Sequence, residues 1–333
     1  MAVPRMLYFL SVVARQRRLA SCSAIAVAAA WLPAFASEGG VSFWLPGNFG
    51  SFAAAPSEPG WALPLIYFHG PASAGANIPI ARGGRLTAGI KAQADFLFAA
   101  PTYTFASPVA GGQAAISMAA ALGRVTAGID ATLAGPNGGV LSGSERDART
   151  GVSDLYPTAT LKWNQGAHNF MAYAAAGVPV GAYDANRLAN IGINHWALDG
   201  GGGYTYFDDK SGTELSAVLG FTYNLENPDT HYRNGVEAHL DWAASHFFSP
   251  TFHAGIVGYV YHQLSGDSGS GATLGDFKSK VSGIGPQAGW FFKVGENKWY
   301  INLKGYYEFD AQHRPYGWNA WLTLAIPLAG AKP

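Results

Sequence analysis

Glu237, His239 and Asp241 occupy alternate positions of one segment, and His253 follows one strand-length later. These are the residue types of a metal site or an acid–base pair. On an extended chain, alternate side chains share a face and stand about 7 Å apart, twice the rise per residue. Such a group binds a metal or passes a proton only with help from a neighbouring strand. The same spacing also describes the polar inner wall of a barrel, with ions paired across strands, and that reading is the stronger. The chain has no Gly-x-Ser-x-Gly elbow, and no His-Glu-x-x-His, phosphate loop or EF-hand run. The four glycines at 200–203 resemble a phosphate cradle, but no helix follows, which leaves close backbone approach within a strand or bulge. We therefore expect no catalytic residue, no metal and no cofactor.

The elements that position these side chains announce themselves by a period of two. From Glu214 to Leu225, Leu215, Ala217, Leu219, Phe221 and Tyr223 alternate with Glu214, Ser216, Gly220 and Thr222. From Gly235 to His246, Val236, Ala238, Leu240, Trp242 and Ala244 alternate with Glu237, His239, Asp241 and Ser245. Similar runs recur twelve times, centred on 61–69, 84–99, 112–133, 152–164, 169–182, 191–208, 213–224, 235–248, 251–264, 278–294, 298–310 and 318–328. They are about 10 to 14 residues long, against about 5–6 for strands of soluble sheets and ~9–11 for a tilted membrane-spanning strand. The stretch 100–111, with Pro101, Pro108 and Gly111, blurs the ends of the second and third runs. The fold expected is an all-β, antiparallel transmembrane β-barrel of twelve strands.

Composition agrees. Of 333 residues 49% are hydrophobic but only 13% charged, about half the usual charge of a soluble domain. Beyond residue 36 no stretch offers the ~20 apolar residues of a spanning helix. Zero net charge argues against a nucleic-acid partner, and one cysteine excludes a disulfide framework. Residues 1–36 carry Arg5, Arg15, Arg17 and Arg18, an apolar run from Ala24 to Leu32, then Ala34-Phe35-Ala36. This is the pattern of a secretory signal peptide cut before Ser37. Cleavage there removes four arginines and no acid, turning the zero net charge into −4.

Connector lengths suggest the topology. Short turns at 166–168, 209–212, 249–250 and 295–297 alternate with longer loops at 134–151, 183–190, 226–234, 265–277 and 311–317. Outer-membrane barrels alternate in this way, with their short turns in the periplasm. Trp242, Trp290, Phe292, Trp299, Trp318 and Trp321 fall near strand ends, where an interfacial girdle would lie. The domains expected are the signal at 1–36, a Pro/Gly-rich segment at 37–60 serving as a plug or a periplasmic segment, the barrel at 61–328 and a tail at 329–333. Inside the barrel we expect a solute path lined by Lys91, Asp95, Glu237, His239, Asp241, His253, Tyr259, Tyr261, Lys304 and Glu308. Mixed charge with many tyrosines suits a partly apolar, hydrogen-bonding solute. In the loops, Asp184, Asn186, Arg187, Asn227 and Asp229 present either a first binding site or local Asx-type turns.

Several motifs resemble one family. They are Asp154-Leu155-Tyr156-Pro157 with Leu161-Lys162-Trp163-Asn164, Pro179-Val180-Gly181-Ala182-Tyr183-Asp184, and Gly202-Gly203-Tyr204-Thr205-Tyr206. Thr222-Tyr223-Asn224-Leu225-Glu226-Asn227-Pro228-Asp229-Thr230, Gly258-Tyr259-Val260-Tyr261, Gly283-Ile284-Gly285-Pro286-Gln287 and Trp318-Asn319-Ala320-Trp321-Leu322 complete the set. Together they resemble the "putative MetA-pathway of phenol degradation" family of outer-membrane proteins. The resemblance implies a channel in the Gram-negative outer membrane that admits small hydrophobic or aromatic compounds by passive diffusion. The partners it implies are outer-membrane lipids, the solute, and the barrel assembly machinery during biogenesis. An outer-membrane barrel enzyme such as a lipid hydrolase, and a structural or adhesive surface barrel, are the rival readings.

Overall fold

The computed structural model describes residues 42–80, 84–134, 139–273 and 275–330; the signal peptide expected at 1–36 lies outside them. Fourteen strands form one antiparallel sheet: β1 (Gly60–Ile80), β2 (Gly84–Ala99), β3 (Thr102–Thr104), β4 (Gln113–Ala134), β5 (Val140–Val152), β6 (Tyr156–Gln165), β7 (His168–Gly177), β8 (Ala197–Asp208), β9 (Thr213–Asn224), β10 (Glu237–Ser249), β11 (Phe252–Gln263), β12 (Lys280–Val294), β13 (Asn297–Gln312) and β14 (Tyr316–Gly330). Pairing of β14 with β1, from Gly60↔Gly330 to Ser73↔Tyr316, closes the sheet on itself. The last strand therefore reaches Gly330, two residues into the segment expected as a tail.

Two pairs of short strands are single staves, which makes the barrel twelve-stranded. β2 and β3 keep one register against β1 (Leu65↔Ala99, Ala62↔Thr102) and against β4 (Ala99↔Ala120, Thr102↔Ser117). They are separated only where Pro101 has no N–H to give the ladder. β5 and β6 likewise share β4, but Leu122 pairs with Val152 while Ala119 pairs with Tyr156. One extra residue is accommodated there, a bulge at Ser153–Leu155. Ser153 fills the gap by accepting the Ala121 N–H at 2.8 Å. As bulges do, it re-aims its neighbour: Asp154 turns inward. The residues 140–151, expected as loop, thus belong to a long stave. The connector expected at 311–317 shrinks to 313–315.

The outer face shows where the bilayer ends. Across β1, β2, β4 and β5, one row of paired residues reads Tyr67–Leu97–Leu122–Val152, and all four are exposed, Leu122 at 65%. The next row on the same face reads His69–Asp95–Arg124–Thr150, and two rows higher Ser73–Lys91–Gly128–Arg146. An apolar belt gives way to charge within one step of about 7 Å. Below the step a water-facing surface would not expose such a band; a lipid-facing one requires it. Elsewhere Leu219, Phe221, Leu303, Leu322, Trp290 and Trp318 continue the belt.

This step corrects the expected faces of two residues. Lys91 and Asp95 lie on the outside of the barrel, above the belt, with Arg124 beside them, and not in the lumen. Asp95 accepts from Tyr67 (2.8 Å) and Gln93 (2.8 Å) and pairs with His69 (2.6 Å). The apolar face of β2, with Ala92, Ala94, Phe96 and Phe98, turns inward instead. Trp321 is also misplaced in the expected girdle. It is three residues from Trp318, so the two point to opposite faces; Trp318 is 50% exposed and Trp321 2%. Trp321 packs inside against Phe68.

Candidate functional site

Residues 42–59 run within the barrel, and inward side chains hold their backbone at three levels. Nearest the short-turn end, Ser57 and Gln113 exchange two hydrogen bonds, and Lys162 Nζ donates to the Ala55 carbonyl at 2.9 Å. Glu214 accepts from Ser51 Oγ (2.7 Å) and Phe52 N (3.0 Å). The Phe52 ring, on a left-handed residue with φ 64°, is surrounded by Phe207, Phe247, His253, Phe291 and Tyr300. At mid-height Asp241 accepts from Gly47 N (2.9 Å) and Phe49 N (3.1 Å). From the other side Lys304 Nζ donates to the carbonyls of Gly47 (2.6 Å) and Phe49 (3.2 Å). Higher still, Trp44 stacks on His239 with ring centres 3.8 Å apart.

The expected chemistry group is therefore divided among other tasks. His239 pairs through Nε2 with Asp199 (2.9 Å), which also accepts from Thr222 Oγ1 (2.5 Å). The Thr222 hydroxyl bonds to the acid, not to the imidazole, unlike a nucleophile and its base, and the hydroxyl that does face Nε2 is the Tyr173 phenol, at 3.5 Å. Glu237 accepts from Asn224 (3.1 Å), and Asp241 holds the N-terminal segment. His253 meets Tyr300 OH at 3.0 Å. Tyr259 donates to Glu308 (2.8 Å), whose other oxygen accepts Gly317 N (2.7 Å). Tyr261 is fully buried beside Ser279. Glu237, His239, Asp241, His253, Tyr259, Tyr261, Lys304 and Glu308 all sit on the inner face. The small inner residues Gly201, Gly203 and Gly220 leave room for Tyr173, Met171 and His239 against that wall. This is the close approach that the glycine run suggested.

The loop after β7, residues 178–196, folds over the opposite mouth. Asp154, turned in by the bulge, accepts Gly181 N (2.7 Å) and Ile193 N (2.8 Å). Arg149 donates to Asn190 (3.0 Å), and Arg187 takes Asp147 through two nitrogens, at 2.5 and 3.1 Å. Of the loop residues expected to bind, Asp184 and Asn186 form an Asx-type turn, Asn186 N donating to Asp184 at 2.9 Å. Asn227 ties loop to loop through Asn194 and Tyr183. Asp229 N donates to Asn227 (3.0 Å) within its own turn. Arg187 alone of the five lines a cavity.

Asp147 lies above the apolar belt, and the Arg187 guanidinium beside it holds its carboxyl well below the usual carboxylate range. A depressed carboxyl contributes stability above its unfolded pKa, about 3.9, and loses it only as the pH falls through the lower folded value. Amide exchange at Ala189 and Ile191, corrected for intrinsic rates, is therefore expected to stay protected through pH 4 and to rise only below it. Protection lost already near pH 5 would contradict this.

Among the described residues, two cavities inside the barrel border the N-terminal segment, mainly against the β1–β6 wall. The inner one, 410 Å³, is bordered by Ile66, Phe98, Ala115, Ala119, Tyr156 and Lys162 among others. The outer one, 290 Å³, lies under the 178–196 loop and is bordered by Phe68, Phe96, Val125, Ile191 and Arg314 among others. Trp44 and Leu45 line both and form the partition between them. Sequence reasoning missed Trp44, Phe52, Asp199 and Arg314. The one available signal was a cluster of aromatics (Phe43, Trp44, Phe49, Phe52) in a segment too rich in Pro and Gly to be a strand.

A closed antiparallel barrel with a lipid-facing belt, a filled half-lumen and an apolar cavity pair defines a β-barrel of the outer-membrane type. The chain is similar to an outer membrane channel from Pseudomonas putida F1, at 14% identity and a TM-score of 0.61, over 85% of this chain and 99% of that one. Weaker likenesses are the transport unit of the autotransporter AIDA-I from Escherichia coli (10% identity, TM-score 0.44, 87% and 95% of the two chains) and a Pseudomonas aeruginosa FadL homologue (8%, 0.37, 81% and 90%). No curated protein sequence matches it. Residues 76–324 match the model of the "Putative MetA-pathway of phenol degradation" family, and the chain belongs to that family.

Proposed function

We propose that the protein is an outer-membrane channel through which small aromatic and other apolar compounds diffuse passively, by way of the outer and inner cavities. In this reading residues 42–59 are a plug: they fill the β8–β13 side of the lumen and leave the β1–β6 side for solute. The observation that carries it is the pair of apolar cavities meeting at Trp44 and Leu45. A cavity of about 150 Å³ already holds a benzene molecule, so each has room for a single aromatic ring. Family membership supports the solute class. The signal at 1–36 exports the chain, and barrel assembly machinery inserts it into the outer membrane of a Gram-negative cell.

A strain lacking the gene is expected to grow poorly on a phenol-type carbon source at low concentration and to recover on complementation. Normal growth and uptake over a broad panel of aromatic compounds would overturn the proposal.

A further inference from the structure

The outer cavity contains a group that a purely apolar solute does not need. Arg314 sits in the short connector 313–315 between β13 and β14 and lines the 290 Å³ space. Its guanidinium lies 5.1 Å from the centre of the Tyr261 ring. Among the described residues it makes no hydrogen bond, its Nε is buried without a partner, and no carboxylate comes within the 4.0 Å of an ion pair. The other guanidinium of the same cavity, Arg187, is by contrast held through Nε and Nη2 by Asp147 and by the Ala148 carbonyl. Glu308 lines the same cavity and already has Tyr259 and Gly317 as donors; Glu237 has Asn224 on Oε1, while its buried Oε2 makes no hydrogen bond and feels the Arg314 charge only at a distance beyond contact.

Arg314 is half-buried, and its buried, unpartnered Nε–H is costly unless a ligand pairs it. Arginine presents a planar fork that matches a carboxylate with two parallel hydrogen bonds. Phe68 and Phe96 offer the same cavity an aromatic wall. We propose that the outer cavity is a binding site for a monocyclic aromatic carboxylate, its ring against Phe68 and Phe96 and its carboxylate on Arg314. The inference rests on the channel reading for the route beyond the cavity, but not for binding itself.

The test uses the full-length barrel in detergent micelles, titrated calorimetrically with benzoate, with its uncharged counterpart benzamide, and with toluene. Wild type is expected to bind benzoate roughly ten- to a hundredfold more tightly than benzamide, the range of a charge-assisted pair. Arg314→Gln should abolish that preference while its heat-modifiable electrophoretic mobility matches wild type, which reports that the variant is folded. Arg314→Lys, keeping charge but not the fork, should retain part of it. Equal binding of benzoate and benzamide by wild type, or an undiminished preference in Arg314→Gln, overturns the proposal. If toluene binds in those cases, the channel reading stands without it; if none of the three compounds binds, both fall.

Discussion

The double variant Asp241→Ala, Lys304→Met is expected to raise the single-channel conductance of the barrel in planar bilayers several-fold. These two side chains grip the same turn of the N-terminal segment from opposite sides. Asp241 takes the N–H groups of Gly47 and Phe49, and Lys304 takes their carbonyls. Both charges are almost completely buried. Removing one alone leaves the other buried and uncompensated, which costs about 3–5 kcal/mol. Single variants should therefore lose barrel stability as well as contact with the N-terminal segment. The double variant avoids that penalty and weakens mainly the hold on the segment. Its heat-modifiable electrophoretic mobility should match wild type while its conductance rises. Unchanged conductance would mean that Phe52, with five rings around it, and Trp44 on His239 keep the segment seated by themselves.

That clamp was only half legible in the sequence. The period of two placed Asp241 and Lys304 on one face of their strands, and β9 to β13 follow the pattern: Glu214, Glu237, His239, Asp241, Lys304 and Glu308 all turn inward. Periodicity says that a strand has two faces, not which one is inside. Along most of the wall the polar face is the lumen face, because lipid demands the apolar one. Above the belt this demand disappears. There β2 lines an apolar cavity with Ala92, Ala94 and Phe96 and shows Lys91 and Asp95 to the outside, the reverse of the rule that worked lower down. Asp199 was overlooked because it abuts the glycine run. Arg314 was overlooked because a three-residue connector carries no periodic signal. The bulge at Ser153–Leu155 hid β5 for a related reason: one extra residue shifts the alternation, and a strand rich in Arg, Asp and Glu reads as loop.

The second large effect is expected from Ala119→Trp. Ala119 faces inward from β4, one step below the bulge and opposite Tyr156. It borders the inner cavity on the wall built from small side chains, with Ala115, Ser117, Thr158 and Ala175. An indole there projects into the 410 Å³ space, toward the wall formed by Phe43, Trp44, Leu45 and Phe49. Overpacking against close-packed neighbours costs typically 1–3 kcal/mol, but a side chain growing into a void avoids most of that, so the barrel should fold normally. Uptake of a monocyclic aromatic at low concentration should fall to the level of a strain without the protein. Binding in the outer cavity, on the far side of Trp44 and Leu45, should persist, because the substitution does not reach it. This separation makes the variant informative: retained binding with lost uptake places the inner cavity on the route, downstream of the outer one. Undiminished uptake would put the route elsewhere in the wall, and the partition formed by Trp44 and Leu45 would then be the closed end of a binding pocket.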